Sequence, residues 1–197
     1  MLLREAIEQY RHALQISEEV NTLTNLAVTQ RLLGEYEEAF ETYTQAKLLA
    51  IRDRSSIGVA VAAFMDAARL QTTFDLLNEW GLFLSEIGDN EQAIQRFQSA
   101  LHVEYREEGL NNLGMALAAT GKLDEAQSFY LEAENLVEGS AAYNLACLYA
   151  KRGDRTSAWK WLKAARDADQ LPPLDEVRND PDLVSLHDLD WFKDFTR

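Results

Sequence analysis

Four times along this chain a glycine is followed by alanine five residues later, by a large residue four after that, and by alanine three further on. The quartets are Gly34, Ala39, Tyr43, Ala46; Gly88, Ala93, Phe97, Ala100; Gly121, Ala126, Tyr130, Ala133; and Gly153, Ala158, Leu162, Ala165. The last keeps the spacing but carries Leu in the aromatic slot. A recurring period of this kind constrains the fold more than any composition does. Each copy is one small unit that cannot bury its apolar face alone, and stacked copies build a continuous core. Glycine after a run of helix formers supplies the positive-φ stop between two helices. Small alanines let the helices approach, and the large residue fills the space between one copy and the next. Steps of three, four and seven hold these residues on one helical face.

Upstream of each glycine lies a first helix, with the doublets Leu26-Ala27, Trp80-Gly81, Leu113-Gly114 and Leu145-Ala146. The second residue of each doublet is small, where the facing helix would cross. Leu84, Leu117 and Tyr149 sit four residues after the large member of a doublet, on the same packing face. Gln30 takes that place in the first full copy, and weaker packing is expected there. Nearly half of the residues are apolar and only three are proline, which suits an all-α chain with a real core.

These residues resemble the tetratricopeptide repeat family, whose period is about 34 residues. The resemblance implies an α-solenoid of antiparallel helix pairs wound as a right-handed superhelix. With the turn glycine at the fifteenth place, repeats span 20–53, 74–106, 107–138 and 139–170. Residues 1–19, with Ala6, Tyr10, Ala13 and Ile16 at second-helix spacing, resemble a half repeat lacking its first helix.

Two stretches depart from the pattern. The step from Val20 to Phe74 is about 20 residues too long for the period. The surplus, 54–73, carries Ile57, Val61, Phe64, Met65 and Ala68 at helical spacing, after a cap at Ser55 or Ser56. An extra helix is expected here, either packed on the array or continuing the preceding helix with a break near Gly58. Its apolar stripe is either packing or a surface for a partner or a second copy. The tail, 171–197, opens on Pro172 and Pro173, which end the array. Asp180 or Asp182 can cap a short helix bearing Leu183 and Leu186, and Trp191, Phe192 and Phe195 add an apolar cluster. A C-terminal helical cap is expected, because a last repeat exposes its stacking face. Similar DPDL…WF tails follow such repeats in bacterial proteins, so the resemblance implies a bacterial source.

Little points to catalysis or metal binding. His12, His102 and His187 fall in different elements, and the HExxH, GxSxG, Walker-type and GxGxxG patterns do not occur. Cys147 is the single cysteine and sits among small residues, so a buried inert thiol is expected. The carboxylates beside the turns, as in GEYEEA, GDNEQA and GKLDEA, favour the starts of the second helices through the helix dipole. No enzyme activity and no cofactor are expected. The net charge of −14 opposes a nucleic-acid partner. The N-terminus lacks a signal-peptide pattern and no apolar run suits a membrane span, so a cytoplasmic protein is expected.

What remains is protein binding. In the family the first helices line the concave face. Its places fall on Thr24, Val28 and Arg31; Asn78, Leu82 and Ser85; Asn111, Met115 and Ala118; and Tyr143, Cys147 and Ala150. Asn25, Asn112 and Asn144 stand just before Leu26, Leu113 and Leu145. Their amides could both donate to and accept from an extended peptide backbone, or satisfy neighbouring helix ends instead. Glu79 interrupts that series. The family's carboxylate clamp needs cations where this chain has Asn78, Ser140 and Asn144, so a clamp is not expected. The expectation is a non-catalytic scaffold, adaptor or assembly factor with a protein or peptide partner. The alternative is a self-associating chain, using either the extra helix or a basic stretch. That stretch, Lys151 to Arg166, has six cations against Asp154, and includes Lys160 and Lys163 with Trp159 and Trp161.

Overall fold

The computed structural model describes residues 2–17, 19–52, 54–70 and 72–197; the side chains of Ile16, Glu37, Ser55, Asp66, Arg69 and Leu70 fall outside what it describes. The architecture is all-α, and no strand occurs among the described residues. The helices are α1 (Leu2–Ile16), α2 (Val20–Leu33), α3 (Tyr36–Arg52), α4 (Ile57–Leu70), α5 (Phe74–Glu86), α6 (Asn90–Val103), α7 (Glu107–Ala119), α8 (Leu123–Leu136), α9 (Ala142–Lys151), α10 (Arg155–Asp167), α11 (Leu174–Asn179) and α12 (Asp190–Phe195). Short 3-10 helices cover Arg54–Ser56 and Pro181–Leu186. The chain divides into two compact units, residues 1–103 and 104–197.

The helix pairs α2/α3, α5/α6, α7/α8 and α9/α10 are joined by four turns of one kind. Gly34, Gly88, Gly121 and Gly153 all have φ between 76° and 89°. In each, the amide after the glycine reaches the carbonyl five residues back, at 3.0, 2.8, 2.9 and 2.9 Å for Glu35, Asp89, Lys122 and Asp154. This bond satisfies a carbonyl that the helix end would leave open. Asp89 and Asp154 then accept from the amides of Gln92 and Ser157 and so start the second helices.

The small residues of the doublets do what their spacing implied. A Cβ on Gly81 would lie 2.5 Å from the Phe97 ring, and one on Gly114 would lie 2.5 Å from the Tyr130 ring. Both rings are buried. Gln30 is buried too, and its side-chain oxygen accepts from the Thr42 hydroxyl at 2.8 Å. Its place is therefore a satisfied polar contact between α2 and α3, where weaker packing was expected.

In the first unit α4 packs on α2, α3 and α5. Phe64 is 2% exposed and stacks on Tyr43, Trp80 and Phe83 at 5.8 to 6.1 Å between ring centres. The extra helix is thus part of the core, and Phe64 does not belong to a self-contact surface. Met65 is exposed, while Ile57 and Val61 are half-buried. The break that precedes α4 is the Arg54–Ser56 turn, and Gly58 lies inside the helix. The Ser55 side chain, one of the two expected caps, lies outside the described set. Lys47 of α3 is almost wholly buried and pairs with Glu79 of α5 at 3.1 Å.

In the second unit the tail covers α9 and α10. Val177, Leu183, Leu186 and Phe192 are buried with Ala146, Ala158 and Leu162 in one cluster. Trp159 meets Trp191 at 4.7 Å and Phe195 edge-on at 5.3 Å. Three exposed cations of the basic stretch lie over aromatic rings in this region. Lys163 lies over Trp159, Arg166 over Phe195 and Lys160 over Trp161. Among the described residues no helix is long and apolar enough to cross a membrane.

Candidate functional site

The expected inner-face residues have two fates. In the first unit they are largely consumed by packing. Thr24, Arg31 and Asn78 are each no more than 8% exposed. Arg31 donates to the carbonyl of Ala67 in α4 at 2.8 Å, so the extra helix covers this end of α2. Asn25 alone of that group is exposed. In the second unit Met115 is exposed, and Asn111, Asn112, Tyr143 and Asn144 are half-buried. The Asn144 amide donates to the Asn111 side chain at 2.8 Å, linking the first helices α9 and α7. One member of the asparagine series, Asn144, thus bonds to a neighbouring inner-face residue.

Of these second-unit residues, Met115, Tyr143 and Asn144 line a pocket of about 210 Å³. Helix α7 contributes Met115, Ala118 and Ala119, and α8 contributes Leu123 and the edge of Tyr130. Helix α9 brings Tyr143, Asn144, Cys147, Leu148 and Lys151. The remaining wall is Asp180 and Asp182, from the 3-10 stretch that follows α11. Helical period explains the α9 set. Tyr143, Cys147 and Lys151 are four apart, and Asn144 and Leu148 flank them on the same face.

Asp180 ties this wall together. One oxygen, Oδ1, accepts from the Asp182 amide at 2.8 Å and caps the 3-10 turn. The other, Oδ2, accepts from the Tyr143 hydroxyl at 2.7 Å, with the Cys147 thiol at 3.8 Å as a long, weak donor. Asp182 pairs with Lys151 at 2.8 Å. Burial pushes the Cys147 thiol well above its usual range, and the nearby Asp180 and Asp182 charges push the same way. Burial likewise raises Tyr143, helped by its hydrogen bond to Asp180, and burial is the main cause for Tyr130. All three stay protonated at neutral pH.

One grouping resembles a metal-ligand set. Ligand atoms of Cys147, Asp180 and Asp182 lie within 4.8 Å of one another. Tyr143 and Lys151 already serve the two carboxylates. The group is better described as a hydrogen-bonded wall.

A wider cavity of about 510 Å³ lies in the first unit. It is lined mainly by Tyr36, Phe40, Glu41 and Tyr43 of the second helix α3 and by the start of α5. Of the residues expected on the inner face, it includes only Arg31. Sequence reasoning named Met115, Tyr143 and Asn144 for the second-unit pocket. It missed Asp180, Asp182 and Lys151 as lining residues, having given them to the cap and the basic stretch. The D-P-D sequence was the available signal, since a capping carboxylate spends one oxygen on the turn and leaves the other to face elsewhere.

Comparison with known proteins agrees with this architecture. Tetratricopeptide repeat family models match residues 22–56 and 109–133. No curated protein sequence matches the chain. Among solved structures, MamA is similar, with a TM-score of 0.55 and 20% identity over 85% of this chain and 89% of that one. YrrB, described as a TPR protein with an unusual peptide-binding site, gives 0.53 and 24% over 92% and 97%. PilW, a type IV pilus biogenesis factor, gives 0.60 and 17% over 89% and 90%. Two stretches of the chain thus match tetratricopeptide repeat models, and its fold is that of tetratricopeptide repeat solenoids.

Proposed function

We propose that this protein is a non-catalytic interaction scaffold, and that its C-terminal unit holds an extended segment of a partner protein against α7 and α9. Tetratricopeptide repeat proteins in general act as such scaffolds, using the surfaces that stacked repeats create. The observation that carries the reading is the pocket between the first helices, which is open to solvent and mixed in chemistry. Met115 offers an adaptable thioether, and Tyr143 and Asn144 add polar atoms. At about 210 Å³ it falls below the 300–1,000 Å³ typical of small-molecule sites. It suits one side chain of a peptide that makes its other contacts along the helices. Asn112, in the preceding turn of α7, is a further candidate for backbone contact.

The test fills the pocket. Ala118→Phe places a ring into the cavity from a half-exposed position on α7. A random peptide library is selected on the full chain, and the selected peptides are then offered to the variant. Loss of binding with an unchanged helical circular dichroism spectrum supports the reading. Equal binding to the filled variant overturns it.

A further inference from the structure

We propose that the side chain this pocket takes from its partner is a lysine or arginine, with its cationic head on Asp180 and its stem along Met115 and Ala118. The proposal rests on the reading above and adds the chemistry of the anchor.

The first argument is the charge balance of the pocket. Its ionised groups are Asp180, Asp182 and Lys151, and Lys151 is committed to Asp182 at 2.8 Å. One negative charge is left over, on Asp180. Its three donors, the Tyr143 hydroxyl, the Cys147 thiol and the Asp182 amide, are all neutral. A carboxylate offers about four acceptor sites, so one remains, and the thiol at 3.8 Å holds another only weakly. A charge-assisted bond from an ammonium or guanidinium is the strong way to fill it.

The second argument comes from the helix ends. Helix α7 ends at Ala119 and α9 at Lys151, and both of these residues line the pocket. The C-terminal end of a helix carries partial negative charge, so both ends favour a cation; the start of α8 at Leu123, also in the pocket, offsets the end of α7 and leaves that of α9.

The third argument is shape. Met115, Ala118, Leu123 and Leu148 give apolar walls leading to the polar end at Asp180. Lysine and arginine have that same division, a hydrocarbon stem with a charged tip. A purely apolar side chain would fit the walls, but it would cover the Asp180 carboxylate without pairing it, which is costly. An acidic side chain would meet Asp180 directly.

The test uses a methionine-methyl-labelled chain and three synthetic peptides, alike except for one central lysine, norleucine or glutamate in an alanine-serine frame. Met115 reports the pocket, and the exposed Met65 of the other unit is the control signal. With lysine, the Met115 methyl should shift on titration to about 1 mM while Met65 stays still. Norleucine, with a similar stem and no charge, should bind about tenfold more weakly, and glutamate should not bind. Asp180→Asn keeps an oxygen for the turn and should bring lysine down to norleucine. Tyr143→Phe keeps the carboxylate and should preserve the preference. If norleucine or glutamate moves Met115 as readily as lysine in the wild-type chain, the cationic anchor is wrong while the pocket reading stands. If none of the three moves Met115, both fall.

Discussion

The two units use one repeat register for different ends. In the N-terminal unit Thr24, Arg31 and Asn78 of the inner face are sealed, while Asn25 is exposed and Val28, Leu82 and Ser85 are half-buried. Asn78 is 2% exposed, Arg31 is tied to Ala67, and Glu79 is drawn into a pair with Lys47. In the C-terminal unit the matching positions around Met115 and Tyr143 stay open, and the cap lends them two carboxylates. The difference lies in what is laid over the first helices. An inserted helix packs on α2 and ties down Arg31, whereas the tail covers α9 but leaves a pocket beside Asp180 and Asp182. A repeat's residues therefore do not alone decide whether its inner face stays open; the segment laid over that face matters too.

The sharpest way to break this comparison is Phe64→Ala. The ring joins α3, α4 and α5, so its loss should cost about 3–5 kcal/mol. Hydrogen exchange should show protection lost first in those three helices. An even loss over the whole chain would sink the division into two units. Next in size is Gly114→Ala, whose new methyl would lie 2.5 Å from a ring atom of buried Tyr130. The overpacking should cost about 1–3 kcal/mol, read from the urea midpoint. Gly58→Ala, with nothing within 4 Å of the new carbon, is the matched control in the other unit. It should be neutral or slightly stabilising, because alanine is the better helix former. Equal losses at the two positions would refute the packing account.

The smallest effect concerns pH. Folding raises the proton affinity of Cys147 and Tyr143. The unfolded chain releases these protons near pH 8.5 for a thiol and about 10 for a phenol, while the folded chain keeps them. Their contribution is whole below those values and is lost progressively as pH rises above them. Urea midpoints should therefore fall more steeply above about pH 8.5 in the wild type than in Cys147→Ala/Tyr143→Phe. Parallel slopes would show that the wall at Asp180 does not hold these protons.

The pair architecture was legible because its causes are local. Gly81 against Phe97 and Gly114 against Tyr130 are contacts within one helix pair, and a fixed spacing predicts them. What stayed hidden depends on long separations. Arg31 meets Ala67 across 36 residues, and Tyr143 meets Asp180 across 37. Periodicity places a residue on a face but does not say what covers that face. Thr24, Arg31 and Asn78 were thus expected in a groove and are buried. Asp180 was expected only as a cap, and it also forms a wall of the pocket.

The contacts of α4 also bear on how the first unit folds. A plain repeat array is close to one-dimensional: each copy touches its neighbours, and order can start anywhere and spread. Helix α4 touches three helices, including the first helices of two successive repeats. Forming it requires α2, α3 and α5 together, which joins what would be separate steps into one cooperative block. The first unit should therefore unfold in a single transition, where an uninterrupted array could fray from an end.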